Sequence, residues 1–382
     1  MTINVERLRS ETPGTEHVVH LNNAGAALMP TQVIEAMYGF LDMEIRMGGY
    51  EAAAAFSDEI EGVYRSISSL INADPSEIAL QDTATRAWDL AFYGVPLSEG
   101  DRVLTTSSEY WSNLGAYLHA RNRRGVVVDV IPDTPEGDID LQALERMLDP
   151  AVALVSVNHV PTHSGLVNPA VTIGKLAAEV GVPYLLDACQ SVGQVPIDVG
   201  AIGCDLLSAT SRKWLRGPRG AGFLYVRDGF RDRMDHPMVQ VLDGAEVFPD
   251  HLEPRADARR FESWEKGYAA MLGMGAGVDL ALQLGMEAVW ARISALGAEA
   301  RKRLAEVPGV TVRDRGTVLG GIVTFTVEGH ESVAVRDALR EQGINVSVAT
   351  SHSSPIDMTN RELTSVCLLY TSPSPRDELA DL

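Results

Sequence analysis

Six short runs of almost unbroken apolar residues recur along the chain: "RVLTT" (102–106), "VVVDVI" (126–131), "VALVSV" (152–157), "PYLLD" (183–187), "DLLSAT" (205–210) and "GFLYV" (222–226). Runs of this length predict strands buried on both faces, as in a parallel sheet. Between them the apolar positions recur at helical spacing. "PTQVIEAMYGFLDMEIRMGG" opens on Pro30 and stops at Gly48-Gly49. "NPAVTIGKLAAEVG" opens with Asn168 as a cap before Pro169 and stops at Gly181. Alternating strands and helices predict a doubly wound α/β domain with a mostly parallel central sheet over 20–285.

From about residue 286 the texture changes. The helical pattern "MEAVWARISALGAEARKRLAE" leads into "GVTVRD", "GGIVTFTV", "SVAVRDALREQG" and "INVSVAT". Strand, strand, helix, strand predicts a small α+β C-terminal domain, made of 286–366 together with residues 1–19. That domain needs one more element to close its sheet. The remaining stretch, "SVCLLYTSPSPRDELADL", carries Ser-Pro-Ser-Pro, which breaks strand and helix alike. Residues 367–382 are therefore expected to be foreign to the fold, with "CLLYTSPSPRD" translated adapter or vector sequence; a natural disordered tail is the alternative.

Composition narrows the function classes. With 382 residues, 45% apolar and 22% charged, the chain suits one large globular domain and a smaller one. A net charge of −20 repels nucleic acid phosphates and anionic lipid, so neither is an expected partner. Cys189, Cys204 and Cys367 are too scattered for a disulfide framework or a metal site, and fit reduced thiols in the cytoplasm. "MTINVERLRSETPG" lacks the apolar core of a signal peptide, and no apolar stretch is long enough to predict a membrane span.

The chemistry concentrates around "SATSRKWLRGPRGAGFLYV". A lysine in a buried α/β site either pairs with a phosphate or attacks a carbonyl to form a Schiff base; elsewhere it is a surface residue. Lys213 stands beside Thr210 and Arg212, which offer a hydroxyl and a guanidinium. "YLLDACQSV" ends an apolar run on Asp187, with Gln190 three residues on. A carboxylate at the end of a buried parallel strand lies at the ligand edge of the sheet and can keep a pyridine nitrogen protonated; the bland alternative is an N-cap. "QDTATRAWDLAF" puts Thr83, Ala84 and Thr85 at a helix start, where N–H groups bind phosphate. Aldehyde-binding amine, ring acid and phosphate cup together describe pyridoxal 5′-phosphate (PLP).

These motifs resemble the class V aminotransferase group of fold-type I PLP enzymes, which includes cysteine desulfurases, selenocysteine lyases, isopenicillin N epimerases and kynureninases. The resemblance runs from "HLNNAGAALMP" to about residue 360 and is strongest at "LLDACQSVGQVPIDV" and around Lys213. It implies that Lys213 bonds the cofactor aldehyde, Asp187 partners the ring nitrogen and Gln190 contacts the ring hydroxyl. Ala84 and Thr85 fall at the helix start, and Thr85, Thr210 and Arg212 match phosphate-binding positions. In "SSEYWSNLGAY" Trp111 falls where the family stacks a ring on the cofactor, with Tyr110 as second choice. Thr162 falls near ring and substrate. Asn23 resembles a substrate-reaching loop, and His352 is the second candidate substrate contact. The family is typically a homodimer with the site at the subunit interface. Its usual cross-subunit phosphate contact falls within 259–273, where Trp264-Glu265 replaces the Gly-Thr of many relatives.

The reaction is less determined by these residues. The family's sulfur-accepting cysteine sits on a loop that here reads "SVATSHSSPIDM" and has none. A C–S or related β-lyase acting on an amino acid is therefore expected first, then an epimerase, then an aminotransferase; the other class of reading is a homodimer of this fold without turnover. The family's carboxylate-binding arginine follows that loop; Arg361 precedes its place and Arg376 directly follows the Ser-Pro-Ser-Pro break. Other features read as structural. "GMGAGV" (273–278) echoes a dinucleotide loop but follows a helical pattern. His159 and His163 straddle Pro161, so they do not form a helical metal pair. Met43 and Met47 read as packing, and Cys189 as a small buried residue rather than a reactive thiol.

Overall fold

The computed structural model describes residues 3–237 and 245–370. Its central sheet has seven strands: β1 (Ile78–Gln81), β2 (Arg102–Thr106), β3 (Val127–Ile131), β4 (Val152–Asn158), β5 (Tyr184–Asp187), β6 (Leu206–Thr210) and β7 (Gly222–Val226). Their spatial order is β1-β7-β6-β5-β4-β2-β3. Strands β2 to β6 run parallel, and β7 is antiparallel to both its neighbours. The six predicted apolar runs are six of these strands, within a residue or two at each end. The short strand β1 was not anticipated.

The doubled apolar character of these strands has a direct use. Leu185, Leu206 and Leu224 face one hydrophobic core, while Leu186, Leu207 and Phe223 face the other. Successive side chains of a strand alternate between faces, so a sheet covered on both sides needs apolar residues at every position. One core is filled from α1 (Thr31–Met47), α2 (Ser57–Ile71), α5 (Ala170–Glu179) and α6 (Tyr268–Leu284). The other is filled from α3 (Ala84–Gly94) and α4 (Trp111–Arg124), including Trp88, Phe92 and Tyr117. Edge strand β3 departs from the pattern: Val127 and Val130 are partly exposed.

The "GMGAGV" run lies inside α6, and its glycines are packing residues. A Cβ at Gly277 would stand 2.5 Å from the Leu215 carbonyl oxygen, and one at Gly275 2.9 Å from Val63 Cγ2. The Asn168 cap is a correction. Helix α5 begins at Ala170, and the Asn168 amide instead donates to the Asn158 carbonyl at 2.8 Å.

Helix α7 (Met286–Glu306) leads into a second sheet of β8 (Val310–Val312), β9 (Ile322–Val327), β10 (Ser347–Thr350) and β11 (Ser365–Tyr370), ordered β8-β9-β11-β10 and antiparallel throughout. Helix α8 (Ser332–Glu341) packs on it, and α9 (Pro355–Asn360) joins β10 to β11.

 The expected end of this unit at residue 366 is also corrected. Cys367, Leu368, Leu369 and Tyr370 are buried and continue β11, hydrogen-bonded to β9 on one side and β10 on the other. Strand β11 is thus the closing element that the sheet required, because its apolar residues suit a central position. Residues 371–382, with Arg376, lie outside the described residues.

The second sheet is tied to the first by a buried polar contact. His163 Nε2 lies 2.7 Å from Asp357 Oδ2, and Arg361 also donates to that oxygen, at 3.1 Å. The Asp357 backbone N–H donates to the Ser107 carbonyl at 3.0 Å. Burial pushes the Asp357 carboxyl up, but the His163 hydrogen bond and the charges of His163 and Arg361 outweigh it and hold the group below its ordinary value. A depressed carboxyl stabilises the fold above its unfolded value and loses that contribution as pH falls through the folded one. Asp357→Asn is expected to lower the thermal midpoint near neutral pH and to flatten the loss of stability below about pH 4, near the unfolded aspartate value. Thermal melts of both chains across that range check it; parallel acid profiles would refute it.

Candidate active site

Asp187 ends β5 and Thr210 ends β6, so both lie at the carboxyl edge of the parallel strands. Strand β1 runs to the same edge and leads into α3, whose N-cap Thr83 accepts from the Arg86 backbone N–H at 3.1 Å. These three elements enclose a cavity of about 310 Å³. Lys213, Asp187, Gln190, Thr210, Arg212, Thr162, Ala84 and Thr85 all line it. The structure therefore brings together every cofactor-binding candidate except one.

The exception is Trp111, a third correction. It is 55% exposed, begins α4 and does not line the cavity, whereas Tyr110 does. The buried Glu109 carboxylate accepts from the Tyr110 backbone N–H at 2.7 Å, which fixes Tyr110 at the strand end. The helix then turns the next side chain outward.

The loop carrying Lys213 is closed tightly. The Arg216 backbone N–H donates to the Lys213 carbonyl at 2.9 Å, and that of Gly217 to Ser211 at 3.0 Å. A Cβ at Gly217 would stand 2.0 Å from Ser211 Oγ. Gly222 opens β7, where a Cβ would meet the Ala209 carbonyl oxygen at 2.6 Å and the Ala84 nitrogen at 3.3 Å. Its missing side chain lets the start of α3 approach the sheet beside Thr210.

Lys213 is buried, and its amine lies 3.4 Å from Cys189 Sγ. Burial pushes the Cys189 thiol up, with the Lys213 charge acting against it. Asp187 is buried too; Asn113 Nδ2 and the Cys189 backbone N–H each donate to it at 2.9 Å. Trp214 Nε1 donates to Gln190 Oε1 at 3.1 Å, which orients the amide so that Nε2 faces Thr162 Oγ1 and the Ala24 carbonyl, both at 3.3 Å. Arg212 donates to the Gly25 carbonyl and receives the Ala27 N–H on its own carbonyl at 2.8 Å.

The substrate candidates lie further out. Asn23 is buried in the turn held by Arg212 and Gln190, but does not line the cavity. His352 is exposed and does not line it either. Its loop does reach the neighbourhood, because the Trp111 backbone N–H donates to the Ser353 carbonyl at 3.2 Å. Arg361 points instead to Asp357 and the Arg313 carbonyl. Trp264 is 53% exposed, next to Ser263, whose hydroxyl accepts from Arg86 of α3 at 2.8 Å.

Glu109, Asn113, Asn158, Cys189 and Arg219 were not anticipated as parts of this site. All but Glu109 line the cavity, and Glu109 stands directly behind it. One signal was available: Asn113 and Tyr117, four residues apart, put two polar groups on one face of α4, the face that reaches back to Glu109.

The donor set fits PLP: a buried amine, a carboxylate at the strand edge, and a helix N-terminus grouped with a hydroxyl and a guanidinium. A family model described as Aminotransferase class-V matches residues 19–369. The chain belongs to that family. It is a PLP-dependent enzyme. It is similar to a probable cysteine desulfurase of Synechocystis, 31% identical over 277 residues, covering 71% of this chain and 66% of that one. Among solved structures, the apo cysteine desulfurase of Thermococcus onnurineus NA1 superposes with a TM-score of 0.91 at 24% identity, covering 100% of this chain and 96% of that one. The cystine C-S lyase C-DES, in complex with its reaction product cysteine persulfide, superposes with a TM-score of 0.83 at 22% identity, covering 95% of each. These likenesses extend the fold over the whole described chain. Among the described residues no single helix is long and apolar enough to cross a membrane.

Proposed function

We propose that this chain cleaves a carbon–sulfur bond of an amino acid by β-elimination, without passing sulfur to a cysteine of its own. The observation that carries the reading is the loop at residues 351–354, which reads Ser-His-Ser-Ser beside the cavity and holds no thiol. Cys204 and Cys367 are buried away from the site, and Cys189 sits within it next to Lys213. Similarity to a C-S lyase and to cysteine desulfurases supports the same class of bond.

Bound PLP supplies an electron sink that makes the Cα–H of a substrate amino acid acidic. Lys213 would supply the base that removes the Cα proton. Asp187 would hold the ring nitrogen protonated, and Gln190 would hold the ring hydroxyl. Ala84, Thr85, Thr210 and Arg212 would hold the phosphate, and Tyr110 would take the ring-covering role in place of Trp111. The Cβ–S bond would break with its electron pair leaving on sulfur, which takes a proton, and solvent water would hydrolyse the released aminoacrylate to pyruvate and ammonia. Asn23 and His352 approach the substrate from the rim. A second copy of the chain completes the site, a reading supported by the exposed apolar face of α1 at Tyr38, Leu41 and Ile45. The enzyme acts in the cytoplasm.

The test is product analysis in deuterated buffer with cysteine, cystine and sulfoxide-type amino acids. Pyruvate and ammonia are expected, with no persulfide on Cys189, Cys204 or Cys367 by mass spectrometry after alkylation. Cys189→Ser should keep turnover within about threefold of the parent. Deuterium at Cα without keto acid would replace this reading by epimerisation, and a persulfide on Cys189 would replace it by desulfurase chemistry.

A further inference from the structure

Behind Asp187 lies a second carboxylate with no role in the reaction as described. Glu109 is 1% exposed and sits between β2 and α4. It accepts four hydrogen bonds: from Thr105 Oγ1 at 2.7 Å, the Tyr110 N–H at 2.7 Å, Asn113 Nδ2 at 3.0 Å and Tyr117 Oη at 3.0 Å. Tyr117 also reaches Ser156 of β4, at 2.8 Å. Asn113 Nδ2 is the link, because it donates to Glu109 Oε1 and to Asp187 Oδ2. One neutral amide therefore joins two buried carboxyl groups.

We infer that Glu109 is a positioning residue for the cofactor: through Asn113 it orients Asp187, and its charge strengthens the site's preference for a protonated ring nitrogen. This rests on the assignment of Asp187 to that nitrogen.

Electrostatics give the device a direction. Burial, and then the Asp187 charge, push Glu109 up to about 7, against the hydrogen bonds from Thr105, Tyr110 and Tyr117. The titratable groups around it are Tyr110, Tyr117 and Asp187, with Cys189, Lys213 and Arg212 across the cavity. Below neutrality Glu109 is neutral and Asp187 acts alone. Above it, a second negative charge lies behind Asp187 and favours a cation at the ring. By linkage, a protonated ring draws the proton off Glu109.

The experiment is PLP binding to the full chain, followed by quenching of tryptophan fluorescence. Glu109→Gln keeps the shape and removes the charge. It is expected to weaken binding about tenfold at about pH 8.5 and to leave it unchanged at about pH 6, because one unit in a linked pKa is tenfold in affinity. Tyr117→Phe removes a donor to the ionised carboxylate, so the step should move to higher pH. Equal weakening by Glu109→Gln at both pH values, or an unmoved step in Tyr117→Phe, would show a purely structural role and overturn the inference. If the parent binds no PLP at any pH, the cofactor assignment itself fails and takes the inference with it.

Discussion

Lys213→Ala, loaded with PLP, loses the visible absorption band of the parent, and its turnover falls by about 10³-fold or more, the scale of losing a positioned base. The lysine is the buried amine of the cavity, held in a closed turn by the Arg216 and Gly217 backbone bonds. Among the described residues no second lysine lines the cavity to replace it, and guanidinium groups such as those of Arg212 and Arg219 make poor bases. The phosphate cup and Asp187 do not depend on the amine, so the variant should still bind the cofactor. Loss of the band with retained binding separates the chemical role of Lys213 from a structural one. A band that survives in the variant would place the reactive amine elsewhere.

The strands were legible because a doubly covered sheet leaves a strong mark. Both Leu206 and Leu207 must be apolar when each face meets a different core. Asp187 and Thr210 could be placed at the ligand edge for the same reason, since a polar residue ending such a run lies at the strand's carboxyl end. Three features were not legible. Strand β1 is four residues long and pairs only with β7, so its pattern is too short to stand out. The choice between Tyr110 and Trp111 depends on where one helix begins, and helix boundaries are the least certain part of a sequence reading. The Ser-Pro-Ser-Pro break drew the boundary too early at residue 366, although the apolar residues just before it complete β11. Glu109 was missed for a different reason: a lone acid before a helix reads as a surface or capping group, and only the tertiary fold shows that it is enclosed.

Asp187→Asn is the second large effect, and it should separate stability from activity. Turnover is expected to fall by about 10²–10³-fold, or roughly 3–4 kcal/mol of barrier, because a neutral amide no longer favours a protonated ring nitrogen. KM should change little, since Asp187 is proposed to meet the ring rather than the substrate. Stability should move the other way or not at all. The Asn113 amide and the Cys189 N–H that donate to Asp187 are both neutral, so its charge gains no ion pair from them. Removing that charge relieves repulsion on Glu109, whose carboxyl is pushed up in part by Asp187. The thermal midpoint of the cofactor-free variant should therefore equal or exceed that of the parent, the trade expected where function requires a locally unfavourable charge. Steady-state kinetics and melts on the same two preparations decide it. A variant that loses stability and activity in parallel would make Asp187 a structural group and remove the reason for placing it at the ring.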